Sequence, residues 1–288
     1  MSGTALALVL VAALCHALWN LAARGVTSDG GLFVFLYSLA SAALWIPVGV
    51  VWLVVAEHPP FAWTWLLVGA LSGVLHTAYG VVLQRGYRRG DLSLVYPVAR
   101  GVGPLLTLVV AVLVLGERPA PVSALGAVIV VAGIAVIAAP DRLGDRTSVM
   151  TGLGWGAATG VTIAAYTLWD GHSVDDIAVP PLPYFAISLV FTALPLAPRA
   201  WRRRSALPAA WRADRRPVLV VAVLSPLAYL LVLQAMTLAP VALVAAARES
   251  SIVLGTVLGV TLLKEPGGWR RGVGALVVLG GIGLVALG

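Results

Sequence analysis

Charge is what this sequence has least of. Asp, Glu, Lys and Arg make up 11% of its 288 residues, against roughly 25% in an ordinary soluble domain, and that scarcity excludes a water-soluble fold. Cysteine is nearly absent as well. A lone Cys15 excludes an intramolecular disulfide and any cysteine-built metal or iron–sulfur centre, and it says nothing about redox compartment. No Gly-rich phosphate loop and no nucleophile motif occurs, so neither a nucleotide cofactor nor covalent catalysis is expected. His16 and His76 stand far apart in the chain without a third ligand, and no metal site is expected either.

What is present is apolar. Hydrophobic residues are 60% of the chain and the mean hydropathy is +0.98. They fall into runs close to the roughly 20 residues that cross a bilayer. The runs are Thr4 to Ala23, Leu32 to Ala56, Trp63 to Gln84, Leu92 to Leu115 and Val122 to Ala139. After a polar turn at Asp141 to Ser148 come Met150 to Trp169, Ile177 to Ala197, Val218 to Thr237, Val241 to Leu263 and Gly272 to Leu287. Ten transmembrane helices are therefore predicted. The seventh is the least regular, because Pro180, Pro181, Pro183, Pro195 and Pro198 crowd its ends. The first run has no positive n-region and ends in Trp19, Asn20 and Arg24 rather than at a small-residue cleavage site, so it reads as a retained helix.

The formal net charge of +7 does not point to nucleic acid, because the basic residues lie between apolar runs instead of forming one surface. Their distribution is lopsided. Arg24; Arg85, Arg88 and Arg89; Arg142 and Arg146; Arg199 to Arg216; and Lys264, Arg270 and Arg271 follow helices one, three, five, seven and nine. The opposite side holds Arg118 among Glu57, His58, Asp170, Asp175 and Asp176. The positive-inside rule then places both termini outside a cell membrane. Segment 199–216 interleaves Trp201 and Trp211 with arginines, the composition of a topology anchor on anionic lipid headgroups.

The two halves of the chain repeat each other. Leu18-Trp19-Asn20 recurs 150 positions later as Leu168-Trp169-Asp170, and Leu83-Gln84 as Leu233-Gln234. At an offset of 148, Arg100 meets Arg248, Glu117 meets Glu265, Gly126 meets Gly274 and Gly133 meets Gly281. The expected units are residues 1–140 and 149–288, each of five helices. An odd number of helices per unit makes the second enter the membrane from the opposite side, an inverted repeat suited to alternating access around a central cavity.

With Trp19-Asn20 closing helix one, the Leu115-Gly116-Glu117-Arg118 turn before the glycine-bearing helix Gly126 to Gly133, and the second copy at Leu263-Lys264-Glu265 and Gly274 to Gly281, the chain resembles the EamA-like branch of the drug/metabolite transporter superfamily. That resemblance covers nearly the whole sequence. It implies a basket-like helical transporter of amino acids, drugs, nucleotide sugars or other metabolites, with export the commoner direction. Many relatives are described with cytoplasmic termini, from which the arginine distribution here departs.

An arginine inside an apolar helix costs roughly 2.5–3.5 kcal/mol on insertion scales and persists where it faces the bundle or a wet cavity. Arg100 and Arg248 each lie roughly 12 Å into their helices, too deep to snorkel easily. Such a pair suits forked hydrogen bonding to a carboxylate, phosphonate or phosphate. The expected substrate is thus a small anionic or zwitterionic metabolite; a structural role for the arginines is the alternative. Glu249 is a candidate proton-coupling group, or else a fixed counter-ion. His16 and Asn20 share a face of helix one, and His76, Gly80 and Gln84 a face of helix three. Thr162, Tyr166 and Asp170 present the corresponding face of helix six, with Tyr96, Tyr229 and Gln234 as further polar candidates. Each could equally make an interhelical hydrogen bond. Pro97, Gly101, Gly103 and Pro104 around Arg100 read as a hinge. Glycines at four-residue spacing, such as Gly69 and Gly73 or Gly152, Gly156 and Gly160, read as close-packing faces.

Two other readings stay open: a flippase for a lipid-linked phosphate, which needs a lateral opening, and a membrane-embedded lipid-modifying enzyme using Asp170, His172, Asp175 and Asp176. The latter cluster also suits a solvated loop.

Overall fold

The computed structural model of the chain describes residues 1–23, 26–55, 61–89, 92–138, 146–254 and 269–287. The principal helices are α1 Gly3–Ala23, α2 Gly30–Val55, α3 Thr64–Arg89, α4 Leu92–Leu113 and α5 Pro121–Ala138, then α6 Arg146–Asp175, α7 Pro181–Ala193, α8 Leu207–Met236, α9 Val241–Arg248 and α10 Trp269–Leu287. There is no strand among the described residues. In lipid no water satisfies a free peptide group, so spanning segments must bond their own backbone, and helices do.

Five segments are long and apolar enough to span a bilayer: α1, α2, Thr64–Leu83 of α3, Pro181–Arg202 and Arg204–Met236. Val98–Leu113, Pro121–Val136 and Gly272–Val285 are apolar but shorter. Their outer faces match a lipid environment. Val54, Leu67, Leu113 and Leu276 stand at least 70% exposed, a surface that water would penalise by about 25 cal/mol for each Å² of apolar area. Trp63, Trp201 and Trp269 project at segment ends, where indole rings favour the headgroup layer.

Glycine sets how closely the helices approach. Helix α5 lies along α10, and a Cβ placed at Gly126 would stand 2.6 Å from the Gly281 carbonyl oxygen, while one at Gly281 would stand 2.8 Å from that of Gly126. One at Gly133 would stand 3.0 Å from the Gly274 carbonyl. Gly156 and Gly160 of α6 receive Val98 and Val102 of α4 in the same way, and Gly69 and Gly73 of α3 receive Ile187 and Phe191 of α7. Where hydrophobicity gives helices no reason to prefer each other over lipid, such small-residue contacts supply the packing.

Prolines free backbone carbonyls, and the fold reuses one of them. Pro226 in α8 lacks the N–H that would bond Ala222, and Ser41 Oγ (3.3 Å) and Trp45 Nε1 (3.2 Å) of α2 donate to that carbonyl instead. The proline-rich seventh segment is helical, because Pro181 opens α7, where no intrahelical N–H is required. A 3₁₀ turn Leu194–Leu196 and a short helix Ala197–Arg202 continue it. Helix α6 runs on to Asp175, so Asp170, His172 and Asp175 lie on a helix rather than in the loop that their polarity suggested.

The basic connector is structured. Asp214 interrupts α8 with φ −120° and ψ 19° and accepts hydrogen bonds from the backbone of Thr27 (3.0 Å) and Ser28 (2.9 Å) and from Thr27 Oγ1 (3.1 Å). Arg203 (2.9 Å) and Arg199 (3.8 Å) pair with Asp29. Burial pushes the Asp29 carboxyl up, but the N–H groups of Leu32 and Gly31 together with Arg203 and Arg199 outweigh it and hold the group below its usual value.

Every residue of α9 is buried. This short helix touches α1, α4, α5, α6, α8 and α10, which makes it the centre of the bundle.

Candidate functional site

The helical path breaks at the end of α9. Glu249 adopts φ −69° and ψ −6° and its N–H bonds back to Ala246, Ile252 bonds back to Glu249 in the same three-residue step, and helix resumes over 250–254. Tightened turns of this kind mark hinges and functional sites in transmembrane helices. Neither proline nor glycine adjoins Glu249, so the sequence carried no signal for the break and led us to expect it in α4, which is helical throughout Leu92–Leu113. Within α4, Gly103 and Pro104 are buried and Gly101 half-buried.

Two arginines converge on that break. Arg100 Nη1 donates to both carboxylate oxygens of Glu249 at 3.2 Å, and its Nη2 lies 2.9 Å from His16 Nε2. A guanidinium has no acceptor, so His16 accepts there and is neutral. Arg248 Nε is 3.7 Å from Glu249 Oε1, beyond hydrogen-bond reach. That Nε is buried with no hydrogen-bond partner. Among the described residues two guanidinium groups therefore face the one carboxylate of Glu249, in a low-dielectric interior where charges interact strongly.

A second polar group joins the first through tyrosines. Asp170 of α6 is fully buried and accepts hydrogen bonds from Tyr184 (2.6 Å) of α7 and from Tyr229 of α8. His76 of α3 stacks on Tyr166 with ring centroids 4.3 Å apart and meets Tyr229 edge-on at 5.2 Å. Tyr166 and Tyr229 are electrostatic neighbours of Arg248, and Arg100 and Arg248 of His16. Positive pole, aromatic rings and negative pole thus neighbour one another inside the bundle.

The same family model, the EamA-like transporter family, matches residues 3–139 and again 150–287. This chain belongs to the EamA-like transporter family. It is accordingly a multi-pass membrane protein and a transporter of the drug/metabolite superfamily, whose members move solutes rather than catalyse reactions. No curated protein matches it. A protein of known crystal structure shares its fold at a TM-score of 0.80 and 20% identity, over 100% of this chain and 98% of the other.

In this EamA-like chain the offset of 150 pairs His16 with Tyr166, and the structure sets the first against Arg100 and the second beside Arg248. Of the remaining sequence candidates, Asn20 is exposed and donates to the His16 carbonyl (2.7 Å) one turn back. Gln234 is likewise exposed and bonds Thr237 (3.1 Å). Both make these local hydrogen bonds at their own helix ends. Thr162 spends its hydroxyl on the Thr159 carbonyl (2.7 Å). Gln84, Tyr96 and Pro97 lie on α3 and α4, and their side chains fall outside the described residues.

The sequence allows two places for Asp170, on the polar face of helix six with Thr162 and Tyr166 or in a cluster with His172, Asp175 and Asp176; His172 pairs with Asp176 (2.6 Å) on the exposed surface, while Asp170 is buried and faces inward. The available signal was its repeat partner Asn20, at the polar end of an otherwise apolar helix. Glu117, in the turn after α4, caps α9 by accepting from the N–H groups of Val241 (2.8 Å) and Ala242 (3.3 Å). Burial pushes its carboxyl above the usual value, the two N–H groups oppose that, and Asp175 and Asp176 add to it. The groove between α2 and α7 is lined by residues such as Ile46, Val50, Leu53, Phe61 and Ile187. It offers a phosphate headgroup no polar partner.

Proposed function

We propose that this protein is an alternating-access secondary transporter for a small polar metabolite bearing an acidic group, anionic or zwitterionic, such as an amino acid, an organic acid or a phosphonate. The carrying observation is the buried Arg248 guanidinium, whose Nε has no hydrogen-bond partner beside the Arg100–Glu249 pair. A carboxylate or phosphonate would match the charge left over and take charge-assisted hydrogen bonds from it. Arg100, held by Glu249 and His16, supplies the second guanidinium, and Tyr166 forms the wall. Gln84 and Tyr96 are carried as candidate contacts by their places on α3 and α4.

The transport cycle we infer uses two five-helix units, residues 1–140 and 149–288, as inverted repeats making ten spans. The reciprocal contacts of Gly126 with Gly281 and of Gly133 with Gly274 support this, since the pairs exchange under the repeat. Pro97, Gly101, Gly103 and Pro104 form one hinge and the Glu249 break another, with the substrate exported across the cell membrane. The contacts of segment 199–216 on Asp29 after α1, and of Glu117 after α4 with the start of α9, put these connectors on common sides of the bundle; outward termini follow from the arginine bias alone.

The test is thermal stabilisation of the purified protein by benzoate, glutamate, phosphonoacetate and choline, because a ligand stabilises the state it binds. Stabilisation by the three acids that Arg248→Ala abolishes is expected. Stabilisation by choline alone, or a shift that Arg248→Ala leaves intact, would overturn the acid-binding reading.

A further inference from the structure

Each intramembrane carboxylate of this protein can be asked what balances its charge. Glu249 is matched by Arg100 and faces Arg248. Asp170 has no Arg or Lys within ion-pairing distance among the described residues, although it is wholly buried. Its partners are the hydroxyls of Tyr184 and Tyr229 and, at 3.8 Å from Oδ2, the Nε2 of His76.

The tautomer of His76 follows from its other nitrogen. Nδ1 lies 3.0 Å from the carbonyl oxygen of Ser72 and 3.4 Å from its hydroxyl; the shorter contact is to a group that only accepts, and we assign the hydrogen to Nδ1 on that ground. Nε2 of the neutral ring is then a lone pair, and it faces a carboxylate oxygen that is also an acceptor. Two acceptors confront each other with no hydrogen between them, which is the arrangement one added proton would complete. The His76 side chain is 22% exposed while that of Asp170 is fully enclosed, so a proton reaches the pair through the imidazole.

We propose that Asp170 and His76, within ion-pair distance of each other, together form an intramembrane proton-binding site that takes up one exchangeable proton, on Nε2 or on Oδ2. As the coupling site of transport this rests on the reading above; as a proton site it does not. The groups around it are Tyr184 from α7, Tyr229 from α8, and Tyr166 from α6 stacked on the imidazole, with Arg248 of α9 as the electrostatic neighbour of both Tyr166 and Tyr229. On proton uptake the new O–H points at Nε2, or the new N–H at Oδ2, and both tyrosine hydrogen bonds to Asp170 can persist. The device belongs to one half alone, since the repeat sets Asn20 opposite Asp170 and Pro226 opposite His76, and neither titrates.

The experiment is an infrared titration of the full chain in phosphatidylcholine vesicles, without any substrate, following carboxylic-acid and imidazolium bands from acid to alkaline pH. Wild type should show a protonation step that Asp170→Asn removes. His76→Phe keeps a ring and leaves Asp170 intact; it should displace the step along the pH axis. Glu249→Gln should leave the step in place. Titration curves of His76→Phe and Asp170→Asn that superimpose on wild type would overturn the proposal. Failure here with Arg248-dependent acid binding intact would remove the proton site alone, whereas a normal titration without acid binding would remove the substrate reading alone.

Discussion

Removing Arg100 should be far more damaging than its single position suggests. Its side chain is 13% exposed and that of Glu249 1%, so Arg100→Ala leaves a buried carboxylate whose remaining cation, Arg248, is 3.7 Å away and outside hydrogen-bond range. Breaking a buried pair from one side costs about 3–5 kcal/mol. Glu249→Ala should cost a similar amount for the opposite reason, because Arg100 and Arg248 would then face each other with no anion between them. Deleting both partners removes the stranded carboxylate, leaves one arginine and should restore at least about 2 kcal/mol relative to the sum of the single losses. Equilibrium unfolding in mixed micelles, followed by tryptophan fluorescence, gives all four corners of this cycle. Single-variant losses below about 0.5 kcal/mol, or strictly additive ones, would show that water screens the pair and that the site is open rather than dry.

Further outcomes can be stated briefly. Gly281→Val should destabilise the α5–α10 contact by about 1–3 kcal/mol, because the obstructing atoms at 2.8 Å are the backbone of Gly126 and Val130, whereas Gly280→Val, with nothing within 4 Å, should be neutral; thermal denaturation of both checks this. Asp214→Ala should free the connector from Thr27 and Ser28 and loosen the backbone around the exposed Arg212, Arg215 and Arg216, read as faster limited proteolysis by trypsin. Asp29 titrates below its usual value when folded, so its contribution is full above the unfolded value of about 3.9 and is lost as pH falls through the lower folded one. The stability difference between wild type and Asp29→Asn should therefore close on acidification in that window, as melting curves at successive pH values would show.

The helical class, the places of most helices and both interior arginines were legible from local pattern: apolar runs, turn residues and two charges that lipid could not tolerate. The glycines of α5 and α10 were legible because the duplication repeats them. What stayed hidden was pairing across the chain. Nothing near Arg100 announces a carboxylate 149 residues away, and a helix turns the adjacent Arg248 and Glu249 apart by about 100°, so adjacency names no partner. Asn20 and Gln234 show why a polar residue near a helix end is ambiguous, since it can satisfy its own helix as easily as a cavity. Asp170 was legible in part, its spacing with Thr162 and Tyr166 giving the polar face while its neighbours His172, Asp175 and Asp176 suggested a solvated loop.

The repeat has a consequence for ancestry. A symmetric assembly of two identical half-length chains holds its buried charges in even numbers, so every acid would appear twice. Here the position equivalent to Glu249 is Gly101 and that equivalent to Asp170 is Asn20. One carboxylate between two arginines, and one carboxylate facing one imidazole, are odd inventories that a homodimer of such halves could not contain. In a chain that carries both copies each half can differ from its twin, and the odd inventory of this interior uses that freedom.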